Sequence, residues 1–295
     1  MTDPSRVFPI RRILVAIDAT PDSWAALDAA AELAAEMEAE ILGLFVEDIN
    51  LLRLAESPYA REVAYPTASG APLDRARMES QLRAHSARAE KAVAAAGTRE
   101  EVRWSFRSIR GEVTAEIRAA AGEADLLAIG RSAWSIGLPA RVSATALDLA
   151  RSVTPLLLLS ERGLSANARV IVHYDGSAGS QRALGVAMQL KRSQRNGMTV
   201  LLAAPDAEAA STLQEEVESS IRDAKLEVRY RRVGLSDQDD LLRALSAESP
   251  ALFVLGTRIP DGGQGALERV LRQADVSLLL LEDGEGNTHP ETTGQ

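Results

Sequence analysis

The hydrophobic pattern of this chain occurs twice. Arg12–Ile17 (RILVAI) is an apolar run that stops at Asp18, and Arg169–Tyr174 (RVIVHY) is one that stops at Asp175. A polar turn and then a long segment rich in Ala and Leu follow each run. The period is on the order of 150 residues, whereas solenoid repeats have periods of roughly 20 to 50 residues. The pattern therefore predicts two related domains in tandem.

The two copies also end alike. Asp125–Gly130 (DLLAIG) corresponds to Ala251–Gly256 (ALFVLG), and the closing run Pro155–Leu159 (PLLLL) corresponds to Ser277–Leu281 (SLLLL). Continuous apolar runs of this length are typical of strands that are buried on both faces. Strands that alternate with helical segments favour parallel pairing with right-handed crossovers. We therefore expect an α/β fold with a parallel sheet in each copy.

The order of elements is the same in both copies. The predicted strands are Ile13–Ile17, Glu40–Val46, Glu101–Ile109, Asp125–Ile129 and Leu156–Leu159, and then Val170–Tyr174, Thr199–Ala203, Glu227–Val233, Ala251–Leu255 and Ser277–Leu281. Residues 47–72 contain several prolines and glycines and are interpreted as an irregular loop insertion. We expect domains at residues 1–163 and 164–283, and a disordered polar tail at residues 284–295.

Composition and charge narrow the range of functions. The net charge of −9 argues against binding to nucleic acid or to an anionic membrane surface. Cysteine is absent, which excludes disulfides and thiol catalysis. The N-terminal residues lack the apolar segment of a signal peptide, and no apolar run is long enough to cross a membrane. We therefore expect a cytoplasmic protein without membrane insertion.

The ordered set of these features resembles the universal stress protein family in a tandem two-domain form, from about residue 11 to residue 281. The resemblance depends on Asp18, on the DGS turn that begins at Asp175, on the stretch GEVTAEI at residues 111–117, and on the DLLAIG and closing runs. It implies that each copy is an open, doubly wound parallel sheet of the adenine-nucleotide-hydrolase-like kind. In such sheets a ligand crevice lies at the carboxyl ends of the strands.

The resemblance also implies a ligand, which is ATP or another adenine nucleotide. ATP-binding members of the family carry a loop G-x2-G-x9-G-(S/T) after the fourth strand, where backbone N–H groups and a helix N-terminus favour phosphate. The aspartate after the first strand would lie near the adenosine, and the backbone after the second strand would meet the adenine. The residues that the resemblance assigns to this site are Ala16, Asp18, Val46, Gly130, Arg131, Ala133, Ser143 and, in the second copy, Asp175.

The sequence departs from this loop in both copies. In the first copy Ala133 stands at the second glycine, and either Val142 or Ser143 stands at the third, depending on the end from which the loop is counted. A Cβ is unfavourable where the backbone must approach a phosphate or adopt a positive φ. In the second copy Gln264 and Gly265 replace Gly-Ser in a shorter loop. Nucleotide binding is therefore predicted to be weakened in the first copy and lost in the second.

Each candidate residue also has a purely structural interpretation. Asp18 is also placed to form a turn or a helix cap, and Gly130 to form a plain strand exit. Arg131 is interpreted as a solvated surface residue that offers its charge to a phosphate only in the nucleotide hypothesis. Ser143 is placed as a helix N-cap, and His173 as a hydrogen-bonded histidine within the sheet.

We therefore expect a non-enzymatic stress-response or signalling protein that acts through protein interaction, with degenerate nucleotide-binding crevices. An adenine-nucleotide sensor that uses the first copy and a slow ATP hydrolase are the alternatives. No metal-binding motif and no activated nucleophile is visible in the sequence. The apolar closing strands favour either a homodimer or a pseudo-dimer within the chain. Residues 47–72 are a candidate surface for an unknown protein partner, or else a lid on their own domain.

Overall fold

The structure is a computed structural model in which residues 10–18, 20–57, 59–64, 69–132, 142–153, 155–160, 169–191, 197–222, 226–234, 238–248, 252–256, 268–272 and 276–281 are described. The strands within these ranges are β1 (Arg12–Ile17), β2 (Glu40–Asp48), β3 (Arg61–Ala64), β4 (Ser69–Pro72), β5 (Trp104–Gly111), β6 (Leu126–Gly130), β7 (Leu156–Leu159), β8 (Val170–Tyr174), β9 (Met198–Ala203), β10 (Val228–Val233), β11 (Leu252–Gly256) and β12 (Ser277–Leu281). The helices are α1 (Pro21–Met37), α2 (Ile49–Ala55), α3 (Arg75–Arg99), α4 (Val113–Ala121), α5 (Ala144–Ser152), α6 (Ala178–Lys191), α7 (Ala207–Ile221) and α8 (Gln238–Glu248). Residues 268–272 form a further short helical segment.

Ten of the strands form one mostly parallel sheet, so the predicted α/β fold class is confirmed. Its strand order is β10-β9-β8-β11-β12-β7-β6-β1-β2-β5. Pairing is parallel at every step except one, between β12 and β7. At that step Leu279 lies opposite Leu157, and the flanking leucines pair around them.

The two halves of the sheet have the same strand order. From the outer edge inward, the first half reads β5-β2-β1-β6-β7 and the second reads β10-β9-β8-β11-β12. The closing strands therefore pair within the chain, as the pseudo-dimer hypothesis expects. The domain boundary expected between residues 163 and 164 lies outside the described residues and stays a prediction.

Helices cover both faces of the sheet, which explains why its central strands are apolar throughout. Side chains alternate along a strand, so Ile13, Val15 and Ile17 pack on one face, while Leu14 and Ala16 pack on the other. The first face carries α1, α3, α6 and α7. The second face carries α4, α5 and α8. The result is a three-layer arrangement with a core on each side of the sheet.

The insertion differs from the irregular loop that was predicted for it. Asp48 accepts a hydrogen bond from the backbone N–H of Asn50 at 2.8 Å and so caps α2, whose Leu52 and Ala55 are buried at helical spacing. Strands β3 and β4 then form a separate antiparallel hairpin. Pro72 ends β4, and a proline is tolerated there because a two-stranded sheet has only edge strands. Proline and glycine content alone was therefore a misleading signal of irregular structure.

The topology positions one crevice in each half. From β1 the chain moves outward to β2 and β5, and then returns across β1 to β6. The strand order therefore reverses between β1 and β6, and in open α/β sheets ligands bind beyond the carboxyl ends of the strands at such a reversal. The same reversal occurs between β8 and β11 in the second half.

Candidate functional site

The first-half crevice is built from the end of β1, the start of α1 and the end of β6. Asp18 follows β1, Gly130 ends β6, and the first turn of α1 lies between them. The structure therefore brings Asp18, Gly130 and Arg131 to one edge of the sheet. Ala133 lies outside the described residues, so its predicted place in this site stays a prediction.

Asp18 organises the turn that starts α1. Its Oδ1 accepts hydrogen bonds from the backbone N–H of Thr20 at 2.8 Å and from the Thr20 hydroxyl at 2.5 Å. The hydroxyl of Ser23 donates to the carbonyl oxygen of Asp18 at 2.9 Å. Thr20 is the N-cap of α1, because its side chain accepts from the backbone N–H of Ser23. The turn-forming interpretation of Asp18 is thus confirmed, while its contact with a ligand stays a prediction.

Gly130 is required by the close approach of α1. A Cβ added at Gly130 would lie 2.7 Å from the backbone carbon of Asp22 and 2.9 Å from the backbone nitrogen of Ser23. Atoms this close cannot be accommodated without moving the backbone of the helix. The side of Gly130 that a Cβ would occupy is therefore covered by α1.

Arg131 is buried, so the expectation of a solvated surface arginine is wrong. Only 3% of the residue is exposed. Its guanidinium donates to the carbonyl oxygen of Val276 at 3.1 Å and to that of Leu271. Both carbonyls belong to the second half, and Leu271 lies among the helical residues 268–272. Arg131 therefore connects the first-half crevice to the other half of the sheet.

Ser143 closes the loop that follows β6. Its backbone N–H donates to the carbonyl oxygen of Arg131 at 2.8 Å. Its hydroxyl accepts from the backbone N–H of Ala146 at 3.0 Å, which makes Ser143 the N-cap of α5 as predicted. Val142, which counting from one end of the loop places at the third glycine, is buried.

Ala16 and Val46 lie inside the sheet near its carboxyl edge. Both side chains are buried in the core of the second face, among residues of α4 and α5. Ala16 pairs with Leu44 on one side and with Ile129 on the other. Their side chains contribute to packing, and their predicted contact with adenine stays a prediction.

Sequence reasoning missed one residue of this crevice. Oδ2 of Asp22, the second residue of α1, accepts the backbone N–H of Ser132 at 2.8 Å. The charge of Asp18 also acts on the imidazole of His85, on α3. Burial and the charge of Arg88 lower the pKa of His85, and Asp18 partly opposes that shift. The contact between Asp22 and Ser132 has no sequence signal, because it joins elements that are far apart along the chain.

The second-half crevice has a different lining. Asp175 is half-buried, and its Oδ1 accepts from the backbone N–H of Ser177 at 3.0 Å. Burial alone would raise the pKa of Asp175, but hydrogen bonds from Ser177 and Ser180 outweigh it and leave the pKa below its usual value. His173 is buried two residues before Asp175, as Ala16 is before Asp18. An imidazole therefore occupies the position that a small side chain has in the first half.

Burial sets the protonation of the groups around this second crevice. It lowers the pKa of His173, with partial opposition from the charge of Asp175, so the imidazole is neutral at pH 7. Burial also raises the pKa of Tyr174, as does the nearby charge of Glu216. The hydroxyl of Tyr174 donates to a carboxylate oxygen of Glu216 at 3.2 Å.

Comparison with protein families identifies the fold. The model of the universal stress protein family matches residues 9–158. This chain belongs to the universal stress protein family. The match covers the first half of the sheet, and the assignment of the second half to a further domain of this family stays a prediction.

Solved structures extend the likeness to nearly the whole chain. A universal stress protein from Archaeoglobus fulgidus DSM 4304 is 17% identical with a TM-score of 0.65, over 92% of this chain and 98% of the other. A putative universal stress protein from Pseudomonas aeruginosa UCBPP-PA14 is 15% identical with a TM-score of 0.54, over 93% and 94%. A functionally unknown protein from Pseudomonas aeruginosa PAO1 is 15% identical with a TM-score of 0.55, over 93% of both chains. At these identities the likeness is one of fold. A search of curated proteins gives no match.

Two structural findings concern the described residues of this universal stress protein. They contain no group of three or more His, Asp or Glu side chains arranged to hold a metal ion. Among the same residues, none of the helices combines the length and the apolar character that crossing a membrane demands.

Proposed function

We propose that this universal stress protein is a non-enzymatic stress-response or signalling protein that acts through protein interaction, and that its nucleotide-binding crevices are degenerate. The main support is that the residues that a phosphate loop would use are already in contact with other parts of the chain. Gly130 lies directly under the backbone of α1, and Arg131 donates to carbonyls of the other half. A phosphate at these two residues would meet neither an open glycine backbone nor an available cation.

The far end of the loop supports the same conclusion. The hydroxyl of Ser143 caps α5, and its backbone N–H is bonded to Arg131. Val142 is packed in the core of the second face, which leaves no glycine for backbone approach at that point. Hydrogen bonds within the chain therefore hold the loop at both of its described ends.

The second half supports the proposal independently. The position equivalent to Ala16 carries the buried imidazole of His173. A Cβ added at Gly256 would lie 2.6 Å from the backbone carbon of Gly179, so the start of α6 covers Gly256 as α1 covers Gly130. We infer that this half is a structural and docking partner of the first, without a nucleotide.

The insertion is the proposed surface for a protein partner. Tyr59 is 90% exposed, and Leu54 on α2 is 51% exposed. Two exposed apolar side chains five residues apart in a segment with its own helix and hairpin favour contact with another protein. Helix α2 also packs on α3, which holds the insertion against the first half.

The organisation that we propose is a tandem of domains at residues 1–163 and 164–283, paired through β7 and β12 as a pseudo-dimer. The repeated strand order supports it. We also propose a cytoplasmic location and no binding to nucleic acid, in keeping with the net charge of −9. A homodimer of whole chains is the alternative form of assembly.

The alternative function is an adenine-nucleotide sensor that uses the first half. The observation that favours it is the retained strand reversal between β1 and β6 with Asp18 beside it. ATP is its candidate ligand, and slow ATP hydrolysis is a further alternative.

Isothermal titration of the full chain with ATP, ADP and AMP separates these functions. The proposal predicts no heat of binding above that of dilution for any of the three. Saturable binding that Asp18→Ala abolishes would instead establish the sensor. Asp28→Ala, which removes an exposed carboxylate from the same helix, is the matched control.

A further inference from the structure

The carboxylate of Asp22 lies against the start of the loop that follows β6. Asp22 is 4% exposed and lies in the first turn of α1. Its Oδ2 accepts the backbone N–H of Ser132 at 2.8 Å, and Ser132 lies two residues after Gly130 in the loop that follows β6. A backbone N–H of this loop and the N-terminal turn of a helix are the two features that attract a phosphate in such crevices. Here the N–H of Ser132 already donates to a carboxylate of the chain itself, and that carboxylate belongs to the first turn of α1.

The other oxygen of this carboxylate is free to accept a hydrogen bond from a ligand. Oδ1 of Asp22 is buried and accepts no hydrogen bond from the described residues. A buried carboxylate oxygen gains by accepting a hydrogen bond and is destabilised by a second negative charge nearby. The local charge therefore opposes phosphate and favours a ligand that donates a hydrogen bond.

The second half indicates that this carboxylate is not needed for the architecture. Gly179 holds the position in α6 that Asp22 holds in α1, four residues after the aspartate that follows the strand. The helix still crosses the strand-ending glycine as closely, since a Cβ on Gly256 would lie 2.8 Å from the nitrogen of Ser180. The crossing of helix over glycine thus occurs without a carboxylate.

We propose that Asp22 determines the ligand specificity of the first-half crevice: its carboxylate occupies the anion position, excludes phosphate, and selects an uncharged or cationic ligand that donates a hydrogen bond. In chemical class the preferred ligand is an amine or a neutral hydrogen-bond donor rather than a phosphate. The inference rests on the proposed function, because it identifies what makes the crevice unsuited to nucleotides.

The test compares adenosine and ATP as probes on three full-length proteins. These are the wild type, Asp22→Asn, and the control Asp28→Asn, which removes the same charge from an exposed position on the same helix. An asparagine at position 22 keeps an oxygen for the N–H of Ser132 and offers an amide N–H to a phosphate. We expect the ratio of ATP affinity to adenosine affinity to rise at least tenfold in Asp22→Asn and to stay at the wild-type value in Asp28→Asn.

A second variant at the same position tests the inference if Asp22→Asn does not fold. Asp22→Gly copies Gly179, and it should open the anion position while the crossing of α1 over Gly130 is kept. Thermal unfolding checks that each variant is folded, and titration of ATP then measures the gain.

Each result decides separately on the inference and on the proposed function. If folded Asp22→Asn and Asp22→Gly gain no affinity for ATP relative to adenosine, Asp22 is not the specificity determinant. The proposed function would still stand in that case if the wild type binds no ATP. If the wild type prefers ATP to adenosine, the inference is overturned. If the wild type binds ATP weakly and the variants bind it at least tenfold more tightly, the inference holds and the claim of nucleotide independence fails.

Discussion

At the scale of single residues, two glycines have the same steric role. Gly130 and Gly256 end equivalent strands, and each lies under the first turn of the helix that follows the aspartate of its own half. The sequence repeat DLLAIG and ALFVLG predicts that these glycines are equivalent. It does not predict their function, because a phosphate loop and a close helix crossing both require glycine, the residue without a Cβ.

Gly130→Ala tests the steric account. The added Cβ would lie 2.7 Å from the backbone of Asp22, so α1 must shift. We expect the free energy of unfolding to fall by about 1–3 kcal/mol, as for other overpacked sites. Urea denaturation measures it.

Gly185→Ala is the matched control for that change. It lies in α6 with no atom within 4 Å of the position of its added Cβ. Alanine is favoured over glycine in a helix by about 1 kcal/mol, so this variant should be more stable than the wild type. Equal losses of stability in both variants would rule out the proposed clash.

His173 gives the protein a predictable response to acid. Burial lowers its native pKa below the ordinary value of 6.5. As the pH falls below 6.5, the unfolded chain therefore binds a proton that the native imidazole does not bind, and stability decreases until the native pKa is passed. His173→Ala, which copies Ala16, should show a shallower fall of unfolding free energy between neutral and acidic pH.

The slope with pH, rather than the absolute stability, is the quantity to compare, because the alanine also leaves a cavity. Part of the slope will persist, since burial lowers the pKa of His85 as well. Urea denaturation at a series of pH values gives the slopes, and identical slopes in the two proteins would contradict this role of His173.

At the scale of elements, the sequence predicts strands better than it predicts connections. Runs such as Ile13–Ile17 and Ser277–Leu281 are buried on both faces, so their composition reports their structure directly. The insertion was misread because its helix has only seven residues and its strands only four each, which leaves little periodicity to detect. The contact of Arg131 with the second half has no local signal, since the groups involved are 140 or more residues apart.

Arg131→Met tests whether this arginine stabilises the contact between the two halves. The methionine keeps apolar volume but removes the donors to the carbonyl oxygens of Leu271 and Val276. Buried carbonyls without a donor cost about 1–3 kcal/mol each, so we expect a loss of about 2 kcal/mol or more on urea denaturation. Arg118→Met removes an exposed ion pair with Asp148 and should cost less than about 1 kcal/mol. A loss at Arg131 no larger than that at Arg118 would contradict this stabilising role.

At the scale of the whole molecule, the antiparallel pairing of β7 with β12 makes one sheet out of two repeated halves. The residues at this junction are buried leucines, of which Leu157 and Leu279 lie directly opposite each other. Separating the halves would expose these leucines and two strand edges at once, which is strongly unfavourable. We therefore expect the halves to unfold together.

The distribution of tryptophan allows this to be measured on the native sequence. Trp24, Trp104 and Trp134 all belong to the first half of the sequence, so every tryptophan that fluoresces lies in that half. Far-ultraviolet circular dichroism reports both halves. The junction predicts coincident urea transitions by the two methods. A second dichroism transition without a change in fluorescence would mean that the halves unfold independently.

We propose that the crevices of this universal stress protein hold no nucleotide and that the protein acts through its surface. Native mass spectrometry of the gently purified full chain can decide this, because it detects any small molecule that the protein retains from the cell. We expect no adduct with the mass of a nucleotide. A stoichiometric adenine-nucleotide adduct that is present in the wild type and lost in Asp18→Ala would contradict it.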